Sequence, residues 1–579
     1  MKKIYKSLLF AVTLTVTSCE INFLDEKMTT QLGGDQVYTK VSDYEMALIG
    51  IYDMLGTRSL PTLGNEITNY LTNYNAGLPL LNELATDEMG AITAGASKQL
   101  MLEELDKCKP TPQNGIIKSF YAGQYAMINR ANDLIFNAEK SGIESVIVNR
   151  CVAEAKFLRA LCYYNLTSVF GGCVLTTLPG SERVGENMPR SSTEAVYGQI
   201  FQDLIDAYSV LPVSFAAEKE MGRATRIAAA ALLARASLTA ATMGKYAHIS
   251  PDMALEDGIN SYEWAKNKFA ELISQAKNYA QKVIDEGYGG NEEVLLSMSY
   301  ADSFYPSENT PEVIFDVQFK DALSQEEGGW VGQIYGPGSW NWVLPTGNVA
   351  NTYMPYGGAT IADNFPSKPT KETCDMRKYK NITNFQYKGD GTLWPPTAAN
   401  KTYNLGKFAM EKKPDYPKQR TPINYVVLRL AEMYLVLAEI EAEQNGGPTD
   451  RALRLLNYVR RRSANETILP EITKENMADP SIVKPITGIT PKDQLEEFRM
   501  ALMQERMLEF LGESLRRVDL IRSGWMKEYL EYTNVEDYDK NKYIYKRRQF
   551  EDYSIFLPIP SREITITNNV IKQNFGYGN

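Results

Sequence analysis

The sequence predicts a mainly α fold, in which helical hairpins form a scaffold that carries one long irregular insertion and a few short strands. Before residue 288 and after residue 422, apolar residues recur at steps of three and four, the period of an amphipathic helix. Between these positions the period is lost, glycine, proline and aromatic residues become frequent, and short strand-like runs such as residues 313–319 appear. We therefore expect a helical scaffold over 41–287 and 423–579 that forms one domain with the insertion at 288–422.

Nine segments carry the helical pattern, in pairs joined mostly by short links. They are residues 44–55, 116–138, 150–170, 191–211, 223–243, 262–286, 425–444, 448–462 and 494–524. Ser191 and Glu194 form a capping-box pattern at the start of the fourth segment. The run AAAALLARASLTAA in the fifth segment has small side chains that permit close helix packing. These features indicate stacked hairpins similar to tetratricopeptide repeats, whereas residues 56–115 are expected to be mostly loop.

The segment 494–524 is predicted to be one long charged helix, and it contains the first candidates for catalytic carboxylates. Glu505 interrupts the apolar face of this helix, and Glu509 and Glu513 follow at steps of four residues among several arginines. Carboxylates stacked beside guanidinium groups fit either an acid–base site or an ion-paired brace inside the fold.

The spacing of the arginines favours the brace. Glu513 has Arg516 and Arg517 at the three- and four-residue spacing of helical ion pairs. Glu505 requires an arginine from a neighbouring helix, because a buried charge without a partner costs several kcal/mol. The candidate partners are Arg429, Arg460, Arg461 and Arg462. Replacement of Glu505 by alanine is therefore expected to destabilise the fold rather than to abolish a reaction.

Composition excludes several classes of function. The 579-residue chain has a formal net charge of −10, which argues against general binding to nucleic acid. It contains a single histidine, His248, which excludes most catalytic triads, histidine-rich zinc sites and iron facial triads. His248 follows a polar turn and is expected on the surface. No cofactor is predicted, and without a DxDxDG loop no metal site is predicted either.

The N-terminus has the pattern of a secretory signal followed by a lipid anchor. Residues 1–18 contain three lysines, then an apolar run, then small residues. The sequence VTSC at 16–19 resembles a bacterial lipobox, in which Cys19 becomes the lipidated first residue of the mature protein. Ordinary signal cleavage beside a chance cysteine is the alternative. We expect residues 19–40 to be a lipidated tether that holds the protein at a membrane.

Several stretches, in their order along the chain, resemble one protein family. They are INRANDLI at 128–135, AEAKFLRALCYYNLTSVFGG at 153–172, LRLAEMYLVLAEIEAE at 428–443, MQERMLEFLGESLRRVDLIRSG at 503–524 and FLPIPSREI at 556–564. Together with the lipobox-like N-terminus, these stretches are similar to the SusD/RagB family of outer-membrane nutrient-binding lipoproteins. The closing stretch QNFGYG departs from the family at one position, because Phe575 stands where proline is usual.

The resemblance implies a cell-surface receptor without chemistry of its own. Members of the family capture oligosaccharide or peptide and deliver it to a TonB-dependent transporter of the SusC type. The implied fold is a scaffold of tetratricopeptide-like hairpins that supports an irregular binding region, in agreement with the helical pattern. An oligosaccharide or polysaccharide is the expected ligand. The alternatives are the same scaffold binding peptides or another nutrient and, more remotely, a glycosidase that uses two carboxylates.

The candidate ligand contacts lie in the glycine-rich and aromatic part of the insertion, residues 328–358. Flat aromatic rings stack on the C–H faces of sugar rings, and amide side chains satisfy the hydroxyl groups at their edges. The predicted contacts are Trp330, Trp340, Trp342, Tyr335, Tyr353 and Asn341. Trp340 and Trp342 would point the same way on an extended segment. The alternative is that these rings pack the insertion onto the helices or face the transporter.

A second group of candidates lies in the early loop, because binding sites of the resembling family often draw on a loop there. The predicted contacts are Tyr70, Tyr74 and Asp87. In contrast to the insertion, this loop contains no tryptophan, which makes it the weaker candidate.

Overall fold

A computed structural model describes most of the chain. The described residues are 37–56, 72–91, 100–183, 188–215, 220–304, 310–319, 329–335, 342–350, 352–353, 370–383, 386–387, 393–394, 404–408, 422–535 and 550–578. The signal peptide, Cys19 and most of the predicted tether lie outside these ranges. The division of the chain into a signal peptide, a tether and a single domain therefore stays a prediction.

Helices dominate the described structure, and the prediction of a mainly α fold is confirmed. The longer helices are Val41–Gly56, Gly115–Ser141, Val146–Phe170, Thr193–Val210, Arg226–Tyr246, Phe269–Lys282, Leu430–Asn445, Asp450–Arg461, Gln494–Phe510 and Met526–Val535. Shorter helices are Leu78–Glu83, Leu100–Asp106, Pro251–Ala254, Glu263–Asn267, Val331–Tyr335, Gly347–Ala350, Met376–Asn381, Arg516–Ser523 and Ser561–Ile566.

Successive long helices pack against one another in chain order, as stacked hairpins do. Val146–Phe170 contacts both the helix before it, Gly115–Ser141, and the helix after it, Thr193–Val210. Further along, Phe269–Lys282 contacts Leu430–Asn445, so the stack continues across the insertion. Each helix thus buries its apolar face against its neighbours, as in a helical repeat protein.

The helix Arg226–Tyr246 shows how small side chains serve this packing. It is long and apolar enough to cross a membrane by length and composition alone, but 94% of its apolar window is buried inside the protein. Its alanines at 228–231 are fully enclosed, and a Cβ on Gly244 would collide with the backbone of Lys266. The small-residue face therefore permits close approach of neighbouring helices, and this helix belongs to the core.

Short two-stranded sheets connect distant parts of the chain. Val313–Val317 pairs antiparallel with Tyr425–Arg429, which joins the two ends of the insertion at its base. Two further antiparallel pairs lie within the insertion: Ile382–Thr383 with Asn404–Leu405, and Gln386–Tyr387 with Leu393–Trp394. A fourth pair, Met89–Ala91 with Val343–Pro345, ties the insertion to the early segment.

The prediction of a helix over residues 425–444 is wrong at its start. Tyr425–Arg429 is a fully buried strand, and the helix begins at Leu430. A short apolar run fits a buried strand as well as it fits the first turn of a buried helix. The partner strand Val313–Val317, more than a hundred residues away along the chain, selects the strand.

The predicted long charged helix is in fact two helices. Gln494–Phe510, here termed the glutamate helix, is followed by a turn in which Gly512 and Ser514 have φ angles of 80° and 63°. This left-handed backbone cannot continue a right-handed helix. A Cβ on Gly512 would also collide with a methyl group of Leu405, so glycine is required there. The chain becomes helical again at Arg516–Ser523.

Two smaller differences concern a helix start and the early loop. Ser192, rather than Ser191, caps the helix Thr193–Val210, and its Oγ accepts a hydrogen bond from the amide of Ala195 at 3.3 Å. The early segment is more ordered than expected, since it contains the π-helical turn Asn73–Gly77 together with short helices and a strand.

Candidate ligand-binding region

The early segment and the aromatic insertion form one region of the molecule. The antiparallel pair of Met89–Ala91 with Val343–Pro345 joins them, and the amide of Thr346 donates to the carbonyl oxygen of Glu88 at 2.7 Å. Both stretches that the sequence singles out for ligand contact therefore meet here. We term this region the aromatic region, and its described residues are 72–91, 329–335, 342–350 and 352–353.

Trp330 is fixed deep in the aromatic region. Its backbone amide donates to Oδ1 of Asn75 at 2.7 Å, and its side chain is only 7% exposed. Asn75 belongs to the π-helical turn Asn73–Gly77, in which Ala76 has a φ angle of 82°. A residue with a Cβ persists in this left-handed conformation only where its surroundings hold it. The turn is therefore a rigid support for the start of the insertion.

Four aromatic rings form a continuous buried row beneath the aromatic region. The ring centroid of Tyr335 lies 6.5 Å from that of Phe408. Phe408 stacks on Tyr425 with centroids 5.7 Å apart and an interplanar angle of 3°, and Tyr425 lies 5.7 Å from Tyr74. Burial raises the pKa of all three tyrosine hydroxyls, so each stays neutral. The row acts as a rigid, uncharged floor that links the insertion to the early segment.

Tyr353 attaches the insertion to the glutamate helix. Its hydroxyl donates to the carbonyl oxygen of Leu508 at 2.8 Å and accepts a hydrogen bond from Nδ2 of Asn381 at 2.7 Å. The side chain is completely buried. A buried hydroxyl with both a donor and an acceptor is fully satisfied, so Tyr353 holds the fold together at this point.

Asp87 forms a buried ion pair with Arg516. The Nε and Nη2 atoms of Arg516 each lie 2.7 Å from a carboxylate oxygen of Asp87, in a bidentate arrangement. Both side chains are buried. Because Arg516 begins the helix after the glutamate helix, the pair fixes the early segment on that part of the scaffold.

Among the predicted contacts that the structure describes, Trp342 keeps a partly exposed side chain and also packs against the core. The buried candidates are Trp330, Tyr335, Tyr353, Tyr74 and Asp87. In this conformation their side chains belong to the floor and walls of the aromatic region. The candidates outside the described residues are Trp340, Asn341 and Tyr70. Ligand contact by any of these residues stays a prediction.

Two buried acids lie beneath the aromatic region, and the sequence did not predict their burial. Glu83 and Glu88 are at most 1% exposed, and their carboxyl groups are within hydrogen-bonding reach of each other. The amide of Ser514 donates to Oε1 of Glu83, but Oε2 of each acid has no hydrogen-bond partner among the described residues. Burial raises the pKa of Glu83 to about 8, and burial together with Glu83 raises the pKa of Glu88. Burial therefore favours the protonated form of both carboxyl groups.

The flanking residues contain the signal that could have revealed these acids. Glu83 precedes Leu84, and Glu88 precedes Met89, and both of these apolar side chains are buried. An apolar residue directly after each acid is a sign that this stretch, expected to be mostly loop, lies inside the fold.

Glu505 is ion-paired as the brace requires. Its carboxylate contacts Arg377, and Nη1 of Arg460 lies 2.8 Å from its Oε2 atom. Arg460 is one of the predicted partners, and this prediction is confirmed. Arg377 could not be foreseen, because it comes from the helix Met376–Asn381 in the insertion.

Glu509 lies at the centre of the same network. Arg429 and Arg377 approach its carboxylate at 2.6 Å and 3.1 Å, and Arg462 contacts it as well. Burial alone would raise the pKa of Glu509, but the guanidinium groups of Arg462, Arg429 and Arg377 together hold it well below its usual value. A buried carboxylate held in its ionised form is poorly suited to donate a proton, so the geometry favours the brace over an acid–base site.

The predicted pairing of Glu513 with Arg516 and Arg517 is wrong. Glu513 contacts Lys407 and also lies 2.8 Å from Nε of Arg429. The helical spacing does not apply, because the turn after the glutamate helix separates Glu513 from the helix that contains both arginines. Arg517 instead donates to the carbonyl oxygen of Ser554 at 2.8 Å, in the C-terminal segment.

Metal ligands are not grouped in the described part of the chain. There, no set of three or more histidine, cysteine, aspartate or glutamate side chains is placed to hold a metal ion. The described cysteines are all buried and form no disulfide with one another: Cys108, Cys151, Cys162, Cys173 and Cys374. His248 is exposed, as predicted.

Two family profiles match the chain in separate stretches. The profile described as the SusD family matches residues 311–577, and the profile described as starch-binding associating with outer membrane matches residues 57–238. Together they cover more than half of the chain. The chain belongs to the SusD family. The matched stretches include the glutamate helix and the aromatic region, so the resemblance seen in the sequence is confirmed.

Curated relatives of this SusD-family chain align with it over nearly its whole length. SusD-like protein P25 of Formosa agariphila is 24% identical, and the alignment covers 97% of each chain. SusD-like protein P2 of the same organism is also 24% identical, and the alignment covers 100% of each chain.

Solved structures share the SusD-family fold. A SusD homolog from Bacteroides thetaiotaomicron has a TM-score of 0.69 at 19% identity, covering 95% of this chain and 100% of that chain. A laminarin-binding SusD-like protein has a TM-score of 0.62 at 22% identity, covering 93% and 100%. Surface glycan-binding protein A from Bacteroides thetaiotaomicron, in complex with laminarihexaose, has a TM-score of 0.59 at 17% identity, covering 92% and 99%. At these identities the likeness establishes the common fold.

Proposed function

We propose that this SusD-family protein binds oligosaccharide or polysaccharide at the cell surface and delivers it to a TonB-dependent transporter of the SusC type. The main support is the construction of the aromatic region, where two separate stretches meet over a rigid aromatic floor and Trp342 remains partly exposed. A flat ring on a rigid support can stack on a sugar ring with little loss of side-chain entropy.

The comparisons support a glycan as the ligand class. One matching family profile is described as starch-binding and associated with the outer membrane. Two proteins with the same fold are described as binding laminarin or as a complex with laminarihexaose. We place the contact surface of this protein at Trp342 together with the neighbouring Trp340 and Asn341. The net charge of −10 favours a neutral glycan over a polyanionic one.

We propose that the protein is a receptor rather than an enzyme. The three carboxylates of the charged segment, Glu505, Glu509 and Glu513, are engaged by arginine and lysine side chains in the brace. A glycosidase needs two carboxyl groups that face the substrate. Incubation of the purified protein with its preferred glycan should therefore release no shorter product, and a product lost on changing one carboxylate would establish catalysis instead.

Affinity electrophoresis in gels that contain starch, laminarin or other neutral glycans tests the binding site. Trp342→Ala should weaken retention about tenfold, because the stacking ring is lost. Trp342→Phe should retain most of the binding, since it keeps an aromatic face. Trp264→Ala removes another partly buried tryptophan, on the helical scaffold, and should leave retention unchanged.

Circular dichroism of each variant verifies that the helical signal is intact. If folded Trp342→Ala were retained as strongly as wild type, the glycan-binding site would not include Trp342. If no gel retained the wild-type protein and members of a peptide library bound to it, the ligand of this protein would be a peptide.

We also propose that lipid on Cys19 anchors the protein to the outer membrane, facing outwards. The support is the lipobox-like sequence VTSC at 16–19. Cys19→Ala should shift the protein from the membrane fraction to the released fraction. Cys108→Ala is the control, because this cysteine is buried inside the fold, and it should not change the distribution. Continued attachment of Cys19→Ala would refute the anchor.

A further inference from the structure

A pocket of about 490 Å³ lies between the segment that follows the Arg226–Tyr246 helix and the C-terminal segment. Residues 248–250 and Met253 form part of its lining, and residues 551–553 and Phe575 form the rest. None of these residues belongs to the aromatic region. The volume lies within the range of small-ligand sites, about 300–1,000 Å³.

Phe575 is an exposed aromatic side chain on a fixed backbone. It is 45% exposed, yet its neighbour Asn574 is buried and donates to the carbonyl oxygen of Leu557 at 2.7 Å. On the other side, Gly576 has a φ angle of 85°, and a Cβ there would collide with the ring of Tyr553. The backbone that carries Phe575 is therefore held on both sides, so binding a ligand requires little further ordering.

The pocket combines an apolar floor with donors and acceptors on its walls. Met253 is buried, and it lines the pocket together with Phe575. The carboxylates of Glu551 and Asp552 are exposed hydrogen-bond acceptors, and the imidazole of His248 can donate or accept. A hydroxyl-bearing ring needs this mixture, because each hydroxyl group both donates and accepts while the C–H face requires an apolar partner. The two acids disfavour an anionic ligand.

We infer that this pocket is a second saccharide site, which takes one or two units of a neutral glycan with a sugar ring stacked on Phe575. The choice of a glycan as the ligand rests on the proposed function. The location of the second site does not depend on it, since the pocket shares no residue with the aromatic region. A second site of this kind would keep a long glycan attached to the protein at two points, which increases retention through a high effective concentration.

The single histidine of the chain provides a selective probe of this pocket. Protein without a histidine tag, labelled at Cε1 of histidine, gives one imidazole resonance, that of His248. Titration with neutral oligosaccharides that the wild type retains in affinity gels should shift this resonance in a saturable manner. The shift should persist in Trp342→Ala and require about tenfold more ligand in Phe575→Ala. The control Ile566→Ala removes another exposed apolar side chain of the C-terminal segment and should behave as wild type.

The outcomes separate the second site from the proposed function. If affinity gels retain the wild type but the His248 resonance does not move, the second site is refuted and the proposed function stands. If the resonance moves equally in wild type and Phe575→Ala, stacking on Phe575 is refuted. If it responds only to a cationic amino-sugar oligomer, the pocket is a cation site. If neither readout responds to any glycan, the proposed function fails as well.

Discussion

The glutamate helix and the early segment beside it both bury acidic side chains, but the two sets of acids behave in opposite ways. Glu509 and Glu83 are equally inaccessible to solvent. Guanidinium groups of three arginines contact Glu509, and its pKa lies well below the usual value. Glu83 accepts a hydrogen bond from the backbone of Ser514 and faces Glu88, and burial raises its pKa to about 8.

This difference shows that cationic partners, and not burial alone, decide the ionisation of these acids. Lys407 lies close enough to influence Glu83, but its ammonium group contacts Glu513 of the brace. Arg516 pairs with Asp87 and lies 3.4 Å from Glu88, whereas Glu83 forms no ion pair with any described residue. Glu509 is consequently ionised at neutral pH, whereas Glu83 loses its proton only as the pH rises to about 8.

Removal of the central carboxylate should have the largest effect on stability. In Glu509→Ala, Arg377, Arg429 and Arg462 lose a common anion inside the protein, and the free energy of unfolding should fall by about 3–5 kcal/mol. Urea denaturation at pH 7, followed by circular dichroism, measures this loss. Glu497→Gln changes a more exposed glutamate of the same helix, and it should stay within about 0.5 kcal/mol of wild type.

Equal stabilities of Glu509→Ala and wild type would show that the arginines find other partners or water, and the brace would then be unnecessary for folding. If Glu509→Ala instead lost glycan binding while its free energy of unfolding stayed at the wild-type value, the ion-pair network would again be a candidate functional site.

Asp87→Asn tests the ion pair that connects the two regions, and its effect should be smaller. Asparagine keeps one oxygen for Arg516, and Glu88 lies 3.4 Å from the same guanidinium group, so a loss of about 2 kcal/mol is expected. Because the Asp87 side chain is buried, the folded variant should retain glycan as wild type does in affinity gels. Weaker retention without a change in stability would place Asp87 at the ligand, as the sequence predicts.

The sequence contains enough information to predict the scaffold and part of the brace. Apolar residues at helical spacing locate the long helices, because each helix buries one face regardless of its distant partners. The position of Glu505 on an apolar face demands a cationic partner, and Arg460 provides one. Both inferences rest on local periodicity and on the cost of an unpaired buried charge, which apply before the tertiary structure is known.

Long-range contacts explain what the sequence does not reveal. Arg377 reaches Glu505 from the insertion, at a separation of 128 residues. The positive φ angle of Ser514 breaks the charged segment, although serine has no marked preference for this conformation. The burial of Tyr335 likewise depends on Phe408, whose position is fixed by tertiary packing. In the aromatic region, the composition indicates that rings are important but not which of them remains accessible.

The pH dependence of stability tests the contrast between Glu509 and Glu83, and it is expected to give the smallest effect. The pKa of Glu83 in the folded protein is about 8, above its ordinary value of 4.5. The folded state therefore keeps a proton that the unfolded chain releases, and stability should decrease as the pH rises from 4.5 to about 8. For Glu509 the sign is opposite, since its pKa is lowered on folding and its contribution is lost as the pH falls below 4.5.

Glu83→Gln should remove the alkaline part of this dependence. Glutamine keeps an oxygen for the amide of Ser514 and carries no proton that dissociates as the pH rises. The variant should be about 1–2 kcal/mol more stable than wild type at pH 9 and close to wild type at pH 5. Urea denaturation at both pH values measures the difference, with Glu497→Gln as the control that should keep the wild-type dependence. A variant that is less stable than wild type at pH 9 would mean that ionised Glu83 has a cationic partner, and the contrast with Glu509 would disappear.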